Sequence, residues 1–335
     1  MSPAGLDEVQ RDEILRRDIL PLYFPDDRAP DQPTFVLVAG QPGSGRSRTA
    51  AALATEDPDV AVLRGEDLRA FHPAFLEPTA STDPAALSEL GQAVAGWVSG
   101  CIRCARENHR SLALEGTFRN VAAAAGTAQR FAAEGFHTRV VVVGSRRAES
   151  LLSVTSGYLQ EVQAGRRAAP TSRASHDEGF AATRALVASV EESGWTDRLT
   201  VVSRDGGVVF DSPGAEAAGF AGAGVGLLAA QSERLGRFDA TQWLSELHHA
   251  TEFAATRRGL PDEVAELLVE LHEVSLREVI PELHVPANGK FATVMERKTV
   301  ARLVALRQTL PPARPIDIAA PVIVPGGAGV EGPFR

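Results

Sequence analysis

The sequence predicts an α/β protein in which a doubly wound, mostly parallel sheet is followed by a helical C-terminal appendage. Three observations support this prediction. Short apolar, β-branched runs alternate with helical stretches as far as residue 211, which is typical of a parallel sheet covered by helices on both faces. A glycine-rich turn joins the first of these runs to a helical stretch. Residues 232–310 then show helical periodicity without further strand-like runs.

Each predicted strand is a short apolar run bounded by turn residues or charged residues. The first run, TFVLVA, is almost entirely apolar, so we expect a strand that is buried on both faces. The last run follows the fifth closely enough to form a hairpin with it. The predicted strands are 34–39, 60–64, 111–115, 139–144, 199–204 and 206–211. The predicted helices between them are 84–108, 120–134, 146–164 and 175–193.

Composition divides the chain into four parts. Residues 1–212 carry the alternation of strands and helices and form the predicted first domain. Residues 213–231 are small and glycine-rich, so we expect a linker there. Residues 232–310 form the helical region, for which packing, oligomerisation and inhibition of the first domain are all open roles. Residues 311–335 are rich in proline and glycine, and we expect a flexible tail.

Charge and composition exclude several classes of protein. The 335-residue chain has a formal net charge of −9, whereas a general nucleic-acid binder needs a basic face for the phosphate backbone. No run of 18 apolar residues predicts a membrane span, and the N-terminal residues lack an apolar signal core. The two cysteines, Cys101 and Cys104, are too few for a disulfide scaffold. We therefore expect a cytoplasmic protein that binds neither nucleic acid nor membranes.

The stretch GQPGSGRS, at residues 40–47, has the spacing of a phosphate-binding loop. Gly40, Gly43 and Gly45 allow the backbone to curl until its N–H groups face an anion. The following helix points its positive N-terminal end at the same anion, and the Ser47 hydroxyl is placed to bind Mg²⁺. The residues predicted to bind nucleotide are Gly40, Gln41, Pro42, Gly43, Ser44, Gly45, Arg46, Ser47 and Arg48.

Arg46 stands where such loops usually carry lysine. The chain has two lysines, Lys290 and Lys298, and every other basic residue among the 34 is an arginine. The arginine in the loop therefore agrees with a general bias of this sequence. Its planar guanidinium can donate to the β- and γ-phosphates, but it is bulkier than an ammonium group. We expect this change to affect turnover more than nucleotide binding.

Two of the predicted strands end close to carboxylates. The second strand leads into GEDLRAFHP at 65–73, and the third ends in LEGTFR at 114–119. Ligands of open α/β sheets bind beyond the carboxyl ends of the strands, so Glu66, Asp67 and Glu115 are expected to converge near the terminal phosphate. A carboxylate at that point can accept a proton from a substrate hydroxyl or help to hold Mg²⁺.

Taken together, these motifs resemble those of the zeta toxin family of P-loop kinases over residues 15–212. The resemblance is carried by GQPGSG after the first strand, DLRAFHP after the second, EGTFR after the third, and SHDEGF at 175–180. It implies a P-loop kinase-like fold that uses ATP and Mg²⁺ to phosphorylate the 3′-hydroxyl of UDP-N-acetylglucosamine. It also implies a toxin of a toxin–antitoxin system, with a small helical antitoxin protein as partner.

The resemblance also assigns roles to individual residues. Counting back six residues from His72 reaches Glu66, which takes the position of the family's catalytic base, with Asp67 as the alternative. Glu115 and Thr117 belong to the pocket for the sugar nucleotide or Mg²⁺. The residues predicted to contact or orient the substrate are His72, Thr117 and Arg119.

The lid is where the sequence departs furthest from the family pattern. The two lid arginines of the family correspond to Gly157 and Ala169 here, and neither is an arginine. Three other arginines, Arg166, Arg167 and Arg173, lie in the same loop. One of them can supply the charge that neutralises the transferring phosphoryl group, as arginine fingers do in other enzymes. The predicted catalytic residues are Arg46, Glu66, Asp67, Glu115, Arg166 and Arg167.

These departures leave three functions open. The first is a kinase that phosphorylates UDP-N-acetylglucosamine. The second is a related kinase with another hydroxylated acceptor, a hypothesis suggested by the changes at the base and in the lid. The third is a nucleotide-binding protein without catalysis, in which ATP stabilises the fold and no acceptor is phosphorylated.

Overall fold

The computed structural model describes residues 6–25, 29–76, 84–166, 168–214, 219–257, 259–286 and 289–309. At the N-terminal end, α1 (Glu8–Ile14) continues through a π-helical turn (Leu15–Ile19) into α2 (Leu20–Tyr23). Two residues of the π-helical turn, Leu15 and Ile19, are buried in the hydrophobic core beneath the sheet. This N-terminal segment is therefore part of the first domain.

A six-stranded sheet forms the centre of the first domain. Its strands are β1 (Thr34–Ala39), β2 (Ala61–Arg64), β3 (Leu112–Gly116), β4 (His137–Gly144), β5 (Arg198–Ser203) and β6 (Val208–Pro213). The spatial order is β2-β3-β1-β4-β5-β6. The first five strands pair in parallel, and β6 pairs antiparallel with β5. The predicted doubly wound sheet with a final hairpin is confirmed.

Helices cover both faces of this sheet. They are α3 (Arg46–Glu56), α4 (Pro84–Glu107), α5 (Val121–Ala133), α6 (Arg147–Gln163), α7 (Arg173–Ser193) and α8 (Ala223–Ser232). The side chains of β1 alternate between two apolar clusters. Phe35 and Leu37 belong to one cluster, and Val36 and Val38 belong to the other. Burial on both faces explains why this strand is nearly continuous in apolar residues.

The parallel register brings the carboxyl ends of three strands to one edge of the sheet. Ala39 of β1 lies beside Gly116 of β3, and Val38 lies beside Glu115. On the other side of β3, Arg64 at the end of β2 pairs with Glu115. Because β1 runs directly into the glycine-rich loop, this edge holds the loop, Glu115 and the turn after β2 together.

The segment predicted as a linker, 213–231, contains α8, which packs on the sheet. Phe220 and Leu227 are buried in the main core of the first domain. A Cβ atom at Gly144 of β4 would lie 2.7 Å from Ala230. The linker prediction is therefore wrong for the helical part, because the small side chains here allow a helix to approach the sheet closely.

The helical C-terminal region has a hydrophobic core of its own. Its elements are α9 (Arg237–Ala255), α10 (Asp262–Val274), a π-helical turn (Ser275–Val279), a 3₁₀ turn (Ile280–Leu283) and α11 (Lys290–Thr309). Leu151, Leu152 and Leu159 of α6 join this core, so the region packs on α6. None of the described helices combines the length and apolarity needed to cross a bilayer. The predicted flexible tail, 311–335, lies outside the described residues.

Candidate nucleotide site

The loop between β1 and α3 has the backbone of an anion-binding turn. Gly43 and Gly45 have φ angles of 75° and 103°, in the region that glycine adopts without a steric penalty. Gly45 is also the N-cap residue of α3. Within the described part of the chain, the amides of Gly45, Arg46 and Ser47 donate no hydrogen bond, so they remain available to a negatively charged ligand at the helix N-terminus.

The loop is packed against the start of α6. A Cβ atom at Gly43 would lie 2.3 Å from the Ser150 carbonyl oxygen and 2.9 Å from Val154 Cγ1. Gln41 is fully buried, and its Nε2 donates to the Ser145 carbonyl oxygen at 2.7 Å and to Ser150 Oγ at 3.3 Å. These contacts fix the loop to the helix that leads into the lid.

A chain of polar contacts continues from this anchor into the C-terminal region. Ser150 Oγ lies 2.9 Å from Nε2 of His176, which is fully buried in α7. Asp177 accepts two hydrogen bonds from Arg147, at 2.8 and 2.9 Å. Arg147 also donates to Glu270 of α10 at 2.7 Å. Burial lowers the pKa of His176, and the bond from Asp177 opposes that shift, so this imidazole is neutral in the folded protein near neutral pH.

Glu115 is the centre of a cluster at the mouth of the loop. The Ser47 hydroxyl donates to Glu115 Oε1 at 3.0 Å. Arg64 Nε lies 3.1 Å from Glu115 Oε2, and Arg46 Nε lies 3.8 Å from Oε1. The Glu115 side chain is 9% exposed. Burial lowers the pKa of Arg46, and the Glu115 and Glu66 carboxylates oppose that shift, so the guanidinium is held as a cation by acidic neighbours.

The two carboxylates after β2 have different neighbours, although both side chains are exposed. Glu66 acts electrostatically on Arg46 of the loop. Asp67 instead acts on Tyr23, whose pKa is raised to about 12 mainly by burial and secondly by Asp67. Glu66 is therefore close enough to Arg46 of the loop to interact with it electrostatically, and Asp67 is close enough to Tyr23 of α2 to do the same.

The candidate lid arginines have partners away from the loop. Arg166 pairs with Glu161 at the end of α6, at 2.6 Å, and is well exposed. Arg173 lies 3.2 Å from Glu270 of the C-terminal region. Arg167 lies outside the described residues. At Gly157 an added Cβ would have no neighbour within 4 Å, so the structure leaves room for a larger side chain there.

The three residues predicted on the substrate side are also placed by neighbouring helices. Arg119 donates to the Ser175 hydroxyl at 2.7 Å and thereby holds the start of α7. Gly179 of the same helix faces Thr117, since an added Cβ would lie 3.5 Å from Thr117 Cγ2. His72 is 6% exposed, and its ring lies 6.2 Å from that of Trp97. Burial lowers its pKa, which fits a packed, neutral ring.

A cavity of about 490 Å³ adjoins the loop on the side away from Glu115. It lies between the first turn of α3, the β5–β6 turn and the start of α9. Arg204 links it to the loop, because its Nη1 donates to the Gly43 carbonyl oxygen. Its volume lies in the range of small-molecule sites. Polar residues of its wall include Arg48, Glu149, Arg204, Asp205, Asp239 and Gln242.

Sequence reasoning missed Arg64, Arg147 and Arg204. Arg64 and Arg204 each stand at the carboxyl end of a predicted strand, which was a usable signal. Their contacts with Glu115 and with the loop depend on strand order, which the sequence pattern did not give. For Arg147, no local signal existed, because its partner Glu270 is more than a hundred residues away.

The residues at the loop suit Mg²⁺, which prefers hard oxygen ligands and keeps several waters. Ser47 and Glu115 supply a hydroxyl and a carboxylate oxygen 3.0 Å apart. No group of three or more histidine, cysteine, aspartate or glutamate side chains forms a metal site in the described ranges. Few protein ligands are typical of an Mg²⁺ ion that also binds phosphate oxygens and water.

Comparison with known protein families shows which family the chain belongs to. A model of the zeta toxin family matches residues 23–214. The chain belongs to the zeta toxin family. Because the family consists of P-loop kinase-like toxins, the resemblance drawn from the motifs is confirmed, and so is the P-loop kinase-like fold class. No curated protein matches the chain in sequence.

A solved structure shows this fold at low sequence identity, and a second one is similar over much of the chain. A chain from the PezAT chromosomal toxin–antitoxin system of Streptococcus pneumoniae is 18% identical, with a TM-score of 0.63; the alignment covers 75% of this chain and 100% of that one. A chain from the structure of AvrRxo1-ORF1:-ORF2 with ATP is 14% identical, with a TM-score of 0.46, covering 83% and 88% of the two chains.

Proposed function

We propose that this zeta toxin family member is an ATP-dependent phosphotransferase whose acceptor is a hydroxyl of a nucleotide sugar, the 3′-hydroxyl of UDP-N-acetylglucosamine. One observation carries the proposal. The free amides of the loop, the Arg46 guanidinium and the Ser47–Glu115 pair lie together at the carboxyl edge of the sheet. This is the arrangement that binds the phosphates of a nucleoside triphosphate in P-loop enzymes.

At the phosphate end, the loop amides and Arg46 bind the β- and γ-phosphates. Ser47 and Glu115 would hold Mg²⁺, which neutralises phosphate charge when it is bound. Arg46 is paired with Glu115 in the ligand-free chain, so the incoming phosphates compete with a carboxylate for this guanidinium. That competition makes Arg46 a weaker phosphate ligand than an unpaired cation would be.

At the acceptor end, Glu66 is the general base. Its carboxylate is exposed and lies on the loop side of the turn after β2, where it can accept the proton of an incoming hydroxyl. The hydroxyl oxygen then forms the new bond to the γ-phosphorus, and ADP leaves with the bond electrons. Thr117 and Arg119 lie where β3 ends and contact the acceptor.

We infer that the nucleoside half of ATP lies in the 490 Å³ cavity beside the loop. Two of its carboxylates, Glu149 and Asp239, can accept hydrogen bonds from ribose hydroxyls or an exocyclic amine. Asp239 belongs to α9, outside the residues that match the family. The helical C-terminal region would then complete the nucleotide site. By packing on the first domain, it would contribute directly to ATP binding.

An arginine of the lid must move to stabilise the transferring phosphoryl group. Arg166 is the candidate with an exposed, readily broken partner. Since zeta toxins are neutralised by antitoxins, we also propose a small helical antitoxin protein as partner. Cytoplasmic location follows from the same family role and is proposed with it.

The test is to incubate the purified chain with ATP, Mg²⁺ and UDP-N-acetylglucosamine and to measure ADP and the phosphorylated sugar nucleotide by mass spectrometry. Arg46→Ala is expected to lower kcat/KM by about 10²-fold, since it removes a cation aimed at the transferring charge. Arg130→Ala, an exposed arginine on α5, is the matched control and should leave turnover unchanged. Equal turnover by both variants would refute the role given to the loop.

Two further measurements separate the remaining functions. A panel of other hydroxylated acceptors, read by ADP release, identifies a kinase with a different substrate. Binding of ATP without turnover on any acceptor identifies a nucleotide-binding protein, which the double arginine contact on Glu115 favours. Arg46→Lys then distinguishes a weakened enzyme, which gains rate, from a binding protein, which does not.

The cavity is tested by comparing ATP with inorganic tripolyphosphate. ATP should bind more tightly than tripolyphosphate to the wild type, and Asp239→Asn should weaken ATP binding alone. If ATP and tripolyphosphate bind equally, the nucleoside assignment fails while the phosphate loop assignment stands.

A further inference from the structure

A second cavity, of about 220 Å³, lies inside the helical C-terminal region between α9, α10 and α11. It is formed entirely by residues beyond the part of the chain that matches the family. One wall is apolar and includes Leu244, Leu247, Leu283, Phe291 and Met295. The basic lining residues are His248, His272, Lys298 and Arg302.

No carboxylate lines this cavity in the described part of the chain. That is unexpected for a protein with a formal net charge of −9. Lys298 is also one of the two lysines in the sequence. Glu252 is 62% exposed and lies 3.0 Å from His248 Nε2, and Arg302 Nη2 lies 3.2 Å from the same nitrogen. No ion pair of Glu252 with Lys298 or Arg302 is present among the described residues, so it borders the cavity without neutralising them. The cavity therefore has the electrostatics of an anion site.

Buried polar groups without partners also face this cavity. Thr299 and His272, which are 5% and 2% exposed, both line it. The Leu268 carbonyl oxygen lies 2.7 Å from His272 Nδ1 and accepts a hydrogen bond from it, which leaves Nε2 for a ligand. Nδ1 of His248 is buried and lacks a hydrogen-bond partner in the described ranges. Buried polar groups are usually satisfied, so these groups point to a ligand.

We propose that this cavity binds a small organic carboxylate, with its carboxylate between Lys298 and Arg302 and its carbon skeleton against Leu244, Leu283 and Met295. A carboxylate fits better than a free phosphate, because half of the wall is apolar and would leave phosphate oxygens unpaired. The volume is too small for a nucleotide, so the site is separate from the phosphate-binding loop and does not depend on the proposed kinase activity.

The histidines give the site a pH dependence. The charged and titratable groups that face His272 across the cavity are His248, Lys298 and Arg302, and Glu252 lies against His248. Burial and the nearby cations lower the pKa values of His272 and His248. A bound carboxylate favours the protonated imidazoles, so binding takes up protons and should strengthen as the pH falls from 8 to 6.

The experiment measures binding of benzoate to the full chain by calorimetry, with benzamide as the neutral molecule of the same shape and inorganic phosphate as the anion without a carbon skeleton. Benzoate should bind about tenfold or more tightly than either, since a charged hydrogen bond is worth at least that factor. Its affinity should rise at lower pH. Equal binding of benzoate and benzamide, or binding of phosphate as tight as that of benzoate, would overturn the proposal.

Variants locate the site. Lys298→Met keeps the length of the side chain and should weaken benzoate about tenfold. Lys290→Met, at the other lysine of the chain, is the matched control on the same helix and lies outside the cavity. Thr299→Val should weaken benzoate binding, because it removes a hydroxyl of the cavity wall while keeping the shape of the side chain. If Lys290→Met weakens benzoate binding as much as Lys298→Met does, benzoate is attracted by the positive charge of the helix as a whole and the cavity assignment is wrong.

Discussion

The phosphate-binding loop and the lid segment between α6 and α7 differ in what determines their structure. In the loop, the glycines at 43 and 45 and the start of α3 set the backbone by themselves. In the lid, Arg173 is positioned by Glu270 of another element, α10. Local backbone geometry thus depends on adjacent residues, whereas the position of a charged side chain can depend on a partner that is distant in the sequence.

The difference also affects what each region can do. The loop is anchored through Gln41, which is fully buried, so it is preorganised for a ligand. The Arg166 ion pair is exposed, and such pairs contribute little to stability. Four predictions test whether the two regions differ in this way, and they are ordered by decreasing effect.

Gly43→Ala should have the largest effect. An alanine would have to adopt the unfavourable positive φ of this position, and its Cβ atom would lie 2.3 Å from the Ser150 carbonyl oxygen. We therefore expect the free energy of unfolding to fall by about 3 kcal/mol and ATP binding to be lost. The control is Gly126→Ala in α5, where an added Cβ has no neighbour within 4 Å and a small gain in stability is expected. Urea denaturation checks both. If Gly43→Ala leaves the free energy of unfolding unchanged, the loop is not packed as described.

Glu270→Gln comes next. It removes the acid shared by Arg147 and Arg173 and leaves Asp177 as their remaining counter-charge, so a loss of about 2 kcal/mol is expected after allowing for partial exposure. Glu273→Gln on the same helix, whose partner Arg307 is 57% exposed, should cost less than half as much. Equal losses from the two variants would mean that the lid arginines are not held by the C-terminal region.

His176 should make stability fall in acid. Its pKa is lowered in the folded state, so the unfolded chain takes up a proton first as the pH falls through about 6.5, and unfolding is favoured below that pH. His176→Gln should reduce this pH dependence but not abolish it, because burial also lowers the pKa of His72 and His272. Denaturation at pH 8 and pH 5.5 measures the slope. Identical slopes for wild type and variant would contradict a neutral, buried His176.

Arg166→Gln should have the smallest effect on stability. The side chain is exposed and its ion pair with Glu161 is screened by solvent, so the melting temperature is expected to stay at the wild-type value. If Arg166 is the lid arginine, kcat should nevertheless fall while ATP binding remains. A fall in both stability and ATP binding would show that Arg166 already supports the folded site.

Much of this site could be predicted because strand–loop–helix order is a local pattern. The glycine spacing gave the loop, and the strand ends gave Glu115 as a residue at its mouth. Motif spacing favoured Glu66 over Asp67 as the base, whereas the directions of these two adjacent side chains are set only after the turn has formed. The linker prediction failed at α8 because small residues are typical both of flexible chains and of close helix–sheet contacts.

The order of the strands along the chain, the glycine-rich turn at 40–47 and the resemblance to the family could all be predicted from the sequence, since each follows from residues close together or from motif spacing. The tertiary structure alone decided that two arginines share Glu115, that Gln41 is tied to α6 and His176, and that Glu270 holds the lid. The physical reason is that the energy of a charge or a buried polar group depends on its neighbours in space, and those neighbours come from segments that only folding brings together.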